Sequence, residues 1–148
     1  MFPRLLKRAG YRTAIAGKFL NSWGLDRPPP FCDRFAAGGS PYFEPEFNVN
    51  GTVKTLNGYG PTLVGEFARR FLRRFETNDA APWLLYVAPH APHHPWTPAG
   101  RHRFHPVGSW PGNPAVLESD RSDKLAYVGA SRTRWPTLKA FAGVSFAR

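Results

Sequence analysis

The chain has 148 residues, of which 42% are hydrophobic and 20% are charged. This length suits one domain with a hydrophobic core, and the apolar fraction excludes a wholly disordered chain. The formal net charge of +10 indicates either a solvated basic surface or attraction to anions such as sulfate, phosphate or nucleic acid. No apolar run is long enough to cross a bilayer, and the first residues lack the apolar region of a signal peptide.

The first third of the chain predicts few regular elements. Residues 3 to 9 predict a short helix, with a proline in its first turn and a glycine after its end. Residues 11 to 16 predict a strand that ends at Gly17-Lys18. Residues 19 to 60 form a long excursion rich in proline, glycine and asparagine. Within it, the segment from Phe47 to Lys54 predicts a hairpin whose type I′ turn is Asn50-Gly51.

Residues 62 to 75 predict an amphipathic helix. Thr62 is the expected N-cap, and an apolar residue recurs every fourth position at Leu63, Phe67, Phe71 and Phe75. Four arginines, at positions 69, 70, 73 and 74, lie away from the center of this stripe. We interpret them as a solvated helix face, with anion binding as the alternative.

An apolar run from Trp83 to Ala88 predicts a strand that is buried on both faces in a parallel sheet. It leads into a loop that holds His90, His93 and His94 between three prolines, which restrict the backbone. In open α/β sheets, ligands bind beyond the carboxyl ends of the strands. The sequence therefore places imidazoles, which exchange protons near neutral pH, where such a fold performs chemistry.

The order of these elements predicts the topology. A helix lies between the strand that ends at Lys18 and the strand that ends at Ala88, so we expect both strands to be parallel in one sheet. Lys18 and the histidine loop would then share one edge of an α/β fold with a mostly parallel sheet, flanking helices and long loops. Residues 1–128 are the expected domain. Residues 129–148 carry four basic residues and no acid, which predicts a weakly structured tail that proteases cut first.

Two segments resemble the sulfatase family. Residues 5–21, with the sequence LLKRAGYRTAIAGKFLN, resemble the segment around the active-site lysine of that family. Residues 82–98 resemble the segment that carries its middle active-site histidine. The variant GKFLN at residues 17–21, together with FNVNG at residues 47–51, is most similar to the glucosamine-6-sulfatase-like branch.

The resemblance implies a fold and a chemistry. Sulfatases have an alkaline-phosphatase-like α/β domain and hydrolyze sulfate esters with a formylglycine made from Cys or Ser and a divalent cation, usually calcium. By this resemblance Lys18 contacts the sulfate and His93 lies near the leaving oxygen. His90 is a loop residue or a contact to a sulfated carbohydrate. Asn21 bonds either a sugar hydroxyl or the local backbone.

Several family features are absent from the sequence. It contains no Cys/Ser-x-Pro-x-Arg motif for formylglycine, since Cys32 is the only cysteine and stands in Cys-Asp-Arg-Phe. The paired aspartates that bind the metal in the family, and its later Asp-Asn/His pair and second lysine, are also missing. We therefore expect a fragment truncated at both ends and inactive alone. Family members are often secreted, periplasmic or lysosomal, and the sequence does not indicate the location of this chain.

Two alternatives remain open at this level. The chain could be a non-enzymatic basic module that binds polyanions through the arginines at 69–74 and the tail, although nucleic acid is the less favored partner. A zinc site of His90, His93 and His94 is conceivable, but no fourth ligand is evident nearby. Cys32 is interpreted as a passive residue.

Overall fold

A computed structural model describes residues 2–106, 108, 120 and 122–126. The chain divides into two compact units, Met1–Thr97 and Pro98–Arg148. The described part of the second unit contains a short 3₁₀ helix, Gly100–His102. The predicted tail at residues 129–148 lies outside the described residues, so it stays a prediction. In the described part, no helix combines the length and apolar character needed to span a membrane.

The first unit consists of two helices and a five-stranded sheet. In chain order they are α1 (Phe2–Arg8), β1 (Arg12–Gly17), β2 (Arg34–Ser40), β3 (Glu46–Val49), β4 (Thr52–Thr55), α2 (Gly60–Glu76) and β5 (Trp83–Ala88). The strand order across the sheet is β4-β3-β2-β1-β5. The sheet is mixed, because β2, β1 and β5 are parallel whereas β2, β3 and β4 are antiparallel.

The prediction that β1 and β5 are parallel in one sheet is confirmed, and the structure shows in addition that the two strands are direct neighbors. Arg12 lies opposite Trp83 at one end of the register, and Gly17 lies opposite Ala88 at the other. The predicted hairpin is also confirmed as β3 and β4. Asn50 and Gly51 have φ values of 49° and 99°, as a type I′ turn requires.

Strand β2 lies within the excursion that the sequence left without a strand. Its sequence is RFAAGGS, which is poor in the β-branched and aromatic residues that typify strands. It forms because β1 and β3 pair with it on its two sides. Its parallel pairing with β1 brings a third carboxyl end to the edge where β1 and β5 end.

Helix α2 covers one face of the sheet. Small residues of β1 and β2, including Ala14, Ala16 and Ala36, leave room for the phenylalanines of the helix. Phe47 of β3 is fully buried, and its ring lies 5.4 Å from that of Phe67. The helix begins at Gly60, with Tyr59 as N-cap. The prediction that Thr62 caps it is therefore wrong, and Pro61 supplies the first-turn signal instead.

The prediction that β5 is buried on both faces is wrong. Trp83, Tyr86 and Val87 are exposed by 38%, 43% and 47%. The reason is position, since β5 has one neighboring strand in the described sheet and lies at its edge. Leu85 still packs against the core beneath α2. The apolar run therefore indicated a strand correctly but not its place in the sheet.

The other face of the sheet carries a smaller apolar cluster of Ile15, Phe35 and Ala37. The carboxylate of Asp33 links β1 to α1 on this side of the sheet. It accepts a hydrogen bond from the Thr13 amide at 2.8 Å and pairs with Lys7 of α1. Burial acts to raise the pKa of Asp33, but the bonds from Lys7 and Thr13 outweigh it, so the pKa is lowered. Asp33 is therefore ionised in the folded chain at neutral pH.

Candidate functional site

Lys18 is fixed where β1 and β5 end together. Its backbone amide donates a hydrogen bond of 2.8 Å to the carbonyl oxygen of Ala88. The preceding residue, Gly17, has φ of 105°, and a Cβ at this position would collide with that same oxygen. Only glycine allows this close approach. The Gly-Lys pair thus brings Lys18 directly beside the start of the histidine loop.

A cleft of about 480 Å³ opens at this edge of the sheet. Its wall comes from the segment after β1, from the end of β2, from the start of β3 and from the loop after β5. The polar groups among its lining residues are Lys18, Ser22, Trp23, Ser40, Glu46 and His90. Asn48, which is buried, donates a 2.6 Å hydrogen bond to the carbonyl oxygen of Leu25 and so holds the β1 side of the wall in place.

The histidine loop folds back on itself. The His93 amide donates to the carbonyl oxygen of His90 at 3.0 Å, and the two imidazole rings lie 4.9 Å apart. His90 is half-buried and lines the cleft, whereas His93 is exposed beside it. The structure therefore brings Lys18, His90 and His93 together at one edge.

Tyr42 contacts this loop through both its ring and its hydroxyl. The sequence did not indicate a role for this residue. Its ring is buried and meets the His90 ring edge-on at 5.1 Å, while its hydroxyl donates to the carbonyl oxygen of His93 at 2.6 Å. Tyr59 stacks on Tyr42 at 5.9 Å and donates to the carbonyl oxygen of Thr97 at 2.9 Å. The signal was hidden because Tyr42 follows β2, the strand that the sequence did not predict.

The surroundings of the two imidazoles differ, since they lower the pKa of His90 and engage Nδ1 of His93. Burial lowers the pKa of His90, and the positive charges of His93 and Lys18 lower it further. His90 is therefore neutral at neutral pH. Nδ1 of His93 lies 2.8 Å from the carbonyl oxygen of His94. A carbonyl oxygen only accepts hydrogen bonds, so Nδ1 carries hydrogen and Nε2 is the position at which His93 exchanges a proton.

The remaining predicted residues lie farther from this cluster. Asn21 is exposed and does not line the cleft, although its neighbors Leu20 and Ser22 do. His94 is also exposed, and its ring contacts that of Trp96 at 4.9 Å. Because Asn21 is exposed next to two lining residues, a ligand that extends out of the cleft can still contact it.

The described residues do not provide a metal site. Among them, no group of three or more His, Cys, Asp or Glu side chains is placed to hold a metal ion. Burial, aided by the charge of Asp33 and opposed by that of Lys7, raises the pKa of the Cys32 thiol to about 11. A thiol with this pKa is protonated at neutral pH and is a poor nucleophile.

The sequence of this chain is similar to that of known proteins. The sequence matches the sulfatase family over residues 1–108. It is 32% identical over 106 residues to an N-acetylglucosamine-6-O-sulfatase of Bacteroides thetaiotaomicron, an alignment that covers 68% of this chain and 18% of the relative. It is 31% identical over 120 residues to a Sulf-1 homolog of Caenorhabditis elegans, covering 71% of this chain and 17% of that protein.

A solved structure supports the same relationship. It is a complex of a protein with its substrate D-glucosamine-2-N,6-O-disulfate, and it superimposes with a TM-score of 0.59 at 32% sequence identity. The match covers 69% of this chain and 20% of the other. The chain thus spans about a fifth of the length of the relatives that it matches.

Proposed function

Because the chain belongs to the sulfatase family, we propose that its cleft is part of the sulfate-ester site of a hydrolase that acts on a sulfated sugar. One observation carries the proposal. The direct parallel pairing of β1 with β5 places Lys18 against Ala88 and lines one cleft with both Lys18 and His90. By the family resemblance, Lys18 at this edge would contact the sulfate.

Each residue has a separate part in this proposal. The Lys18 ammonium would pair with a sulfate oxygen, because a cation placed in advance stabilises charge that develops on the ester. His93 would donate a proton from Nε2 to the departing sugar oxygen, since Nδ1 is engaged with the His94 carbonyl. His90, which is neutral, and Asn21 would hydrogen-bond sugar hydroxyls at the mouth of the cleft.

The metal and the formylglycine of the family enter no step here. Calcium would neutralise sulfate charge in an intact sulfatase, but among the described residues no three His, Cys, Asp or Glu side chains are grouped so that they could hold it. The sequence also has no Cys/Ser-x-Pro-x-Arg motif. In this proposal, residues of this chain bind the substrate and donate the proton, and the nucleophilic attack is not assigned to any of them.

The substrate class is proposed from the relatives. One relative is named for sulfate at position 6 of N-acetylglucosamine, and the superimposed structure holds a glucosamine disulfate. We therefore propose D-glucosamine 6-sulfate as the first ligand to test. The neutral imidazole of His90 and the amide of Asn21 suit sugar hydroxyls, because both groups can donate or accept a hydrogen bond.

Ligand-detected NMR titration of the full chain, which measures weak affinities, tests this function. The chain should bind D-glucosamine 6-sulfate more tightly than D-glucosamine. Lys18→Ala should weaken binding of the sulfated sugar by roughly tenfold or more, as expected for the loss of a charge-assisted contact. Lys54→Ala is the matched control, because Lys54 is exposed on β4 and does not line the cleft. Equal affinity for both sugars, or no effect of Lys18→Ala, would overturn the proposal.

A further inference from the structure

The outer face of α2 carries four exposed arginines, at positions 69, 70, 73 and 74. Three of them, Arg69, Arg70 and Arg73, line a groove of about 390 Å³ together with Glu66. We call this set of four lining residues the arginine groove. It lies on the side of α2 opposite Phe67, Phe71 and Phe75, the residues that pack against the sheet.

These arginines are not needed to end the helix. Basic side chains in a last turn often interact with its free carbonyl groups. Here the guanidinium of Arg12 donates to the carbonyl oxygens of Phe75 at 3.2 Å and Asn78 at 2.5 Å. Thr77 donates to the carbonyl oxygen of Arg73 through both its amide and its hydroxyl. The side chains of Arg73 and Arg74 are thus left for another role.

Within the part of the chain that the structure describes, none of the four arginines forms an ion pair. Arg70 lies over the ring of Phe67 at 5.4 Å, a contact that orients a guanidinium while leaving its N–H groups available. Glu66 lines the same groove and offsets one positive charge. A surface with this excess of arginine favors an anion that presents several charged groups.

The groove and the cleft lie toward opposite ends of the sheet. The start of α2 is near the cleft, because the Gly60 amide donates to the carbonyl oxygen of Tyr42. Its end is near the start of β1, where Arg12 meets Phe75. Glu66, where the groove begins, follows Gly60 by six positions, and Arg69 follows it by nine, which corresponds to roughly 9 and 14 Å along the helix axis. A single sugar in the cleft therefore does not reach the groove.

We propose that the arginine groove is an accessory site for an extended sulfated polysaccharide, distinct from the cleft. The inference rests on the proposed function, because it assigns this groove to other sulfate groups of the same kind of polymer. The planar fork of arginine binds the oxygens of such an anion in pairs. Arg69 and Arg73 lie one helical turn apart on one face, so they can bind neighboring sulfates.

A sulfated polysaccharide is favored over single-stranded nucleic acid as the occupant. Nucleic-acid grooves of this kind combine arginines with exposed aromatic rings on which bases stack. Among the residues that the structure describes, no aromatic side chain lines the arginine groove, and the nearby Phe67 is buried with Arg70 over it. The groove therefore offers charge and hydrogen bonds, which suit sulfate, and no stacking surface.

Binding of a heparin oligosaccharide to the full chain tests the inference. The double variant Arg69→Gln/Arg73→Gln should weaken binding by about tenfold or more at low salt and should flatten its salt dependence. Glu66→Gln should strengthen binding, because it removes a negative charge from the lining of the groove. Arg8→Gln is the matched control, since Arg8 is an exposed arginine in the last turn of α1. Glutamine keeps a helix propensity close to that of arginine, and circular dichroism checks the fold.

The outcomes separate this inference from the proposed function. If the double variant binds heparin as tightly as the wild type, or if Arg8→Gln weakens binding equally, the accessory site is refuted. If a single-stranded oligonucleotide of equal charge binds more tightly than heparin, the assignment to a sulfated polysaccharide is refuted. Binding of D-glucosamine 6-sulfate should be unchanged in the double variant. Loss of D-glucosamine 6-sulfate binding in Lys18→Ala reports on the cleft alone.

Discussion

The hydroxyl of Tyr42 donates a 2.6 Å hydrogen bond to the carbonyl oxygen of His93. This bond links the segment after β2 to the loop after β5, across the end of β1, which lies between those strands in the sheet. The same tyrosine ring contacts the ring of His90. Tyr42 thus positions both imidazoles without being a group that the proposed chemistry uses.

Tyr42→Phe should therefore loosen the histidine loop. Removal of one hydrogen bond should lower the free energy of unfolding by about 1 kcal/mol, measured by urea denaturation. It should also weaken binding of D-glucosamine 6-sulfate and shift the imidazole NMR signals of His93. Tyr59→Phe is the comparison, because Tyr59 bonds the far end of the loop at Thr97. Unchanged His93 signals in Tyr42→Phe would show that the bond does not position this residue.

Gly17→Ala should destabilise the chain more than the same change at Gly10. Both glycines have positive φ, 105° and 88°, but a Cβ at Gly17 collides with the Ala88 carbonyl while one at Gly10 meets open space. Gly10→Ala should cost about 1 kcal/mol from backbone strain. Gly17→Ala should cost on the order of 3 kcal/mol or more and separate the ends of β1 and β5. Equal losses in thermal or urea unfolding would contradict the close approach.

Several parts of this fold could be predicted from the sequence, because local patterns determine them. The recurrence of phenylalanine at every fourth position indicated α2, and Asn50-Gly51 indicated the hairpin. The run from Trp83 to Ala88 indicated a strand, and the helix before it indicated that this strand is parallel to β1 in the same sheet. Each of these patterns lies within one segment of the chain, so the sequence of that segment is enough to indicate its helix, strand or turn.

Other features could not be predicted, since they depend on neighbors in the sheet. The sequence of β2, RFAAGGS, has no strand pattern of its own, and pairing on both sides imposes its conformation. Without β2, the role of Tyr42 at the site was hidden. The edge position of β5 was hidden for the same reason, because an apolar run does not reveal how many strands flank it.

His90 should titrate below the ordinary histidine pKa of about 6.5. Burial disfavors its charged form, and the charges of His93 and Lys18 add to this effect. The unfolded chain therefore binds this proton more readily, so stability should fall as the pH drops below about 6.5 toward the folded pKa. His90→Gln should remove that part of the pH dependence.

NMR titration of the His90 ring measures this directly. Lys18→Met should raise the His90 pKa, because it removes a nearby positive charge, whereas Lys54→Met should leave it unchanged. Bound D-glucosamine 6-sulfate should also raise it, since the sulfate brings a negative charge to the cleft. A His90 pKa at or above the ordinary value, or one that is the same in Lys18→Met as in the wild type, would contradict the proximity of these groups.

The chain by itself should show no turnover of an aryl sulfate, with or without calcium. Its sequence has no Cys/Ser-x-Pro-x-Arg motif, and an activated nucleophile with a metal ion supplies the largest rate effects in such mechanisms. A colorimetric assay of the purified chain checks this. Calcium-dependent turnover that His93→Ala abolishes would show that residues of this chain perform the attack as well.

The most direct test of the central claim, that Lys18, His90 and His93 form one sulfate-ester site, is a ¹⁵N NMR map of the full chain with D-glucosamine 6-sulfate. We predict that the largest shifts fall on Lys18, His90 and His93, with smaller shifts at Asn21 and none at Lys54. Lys18→Ala should abolish the shifts at both histidines. Shifts confined to the arginines of α2, or shifts at the histidines that survive Lys18→Ala, would contradict a shared site.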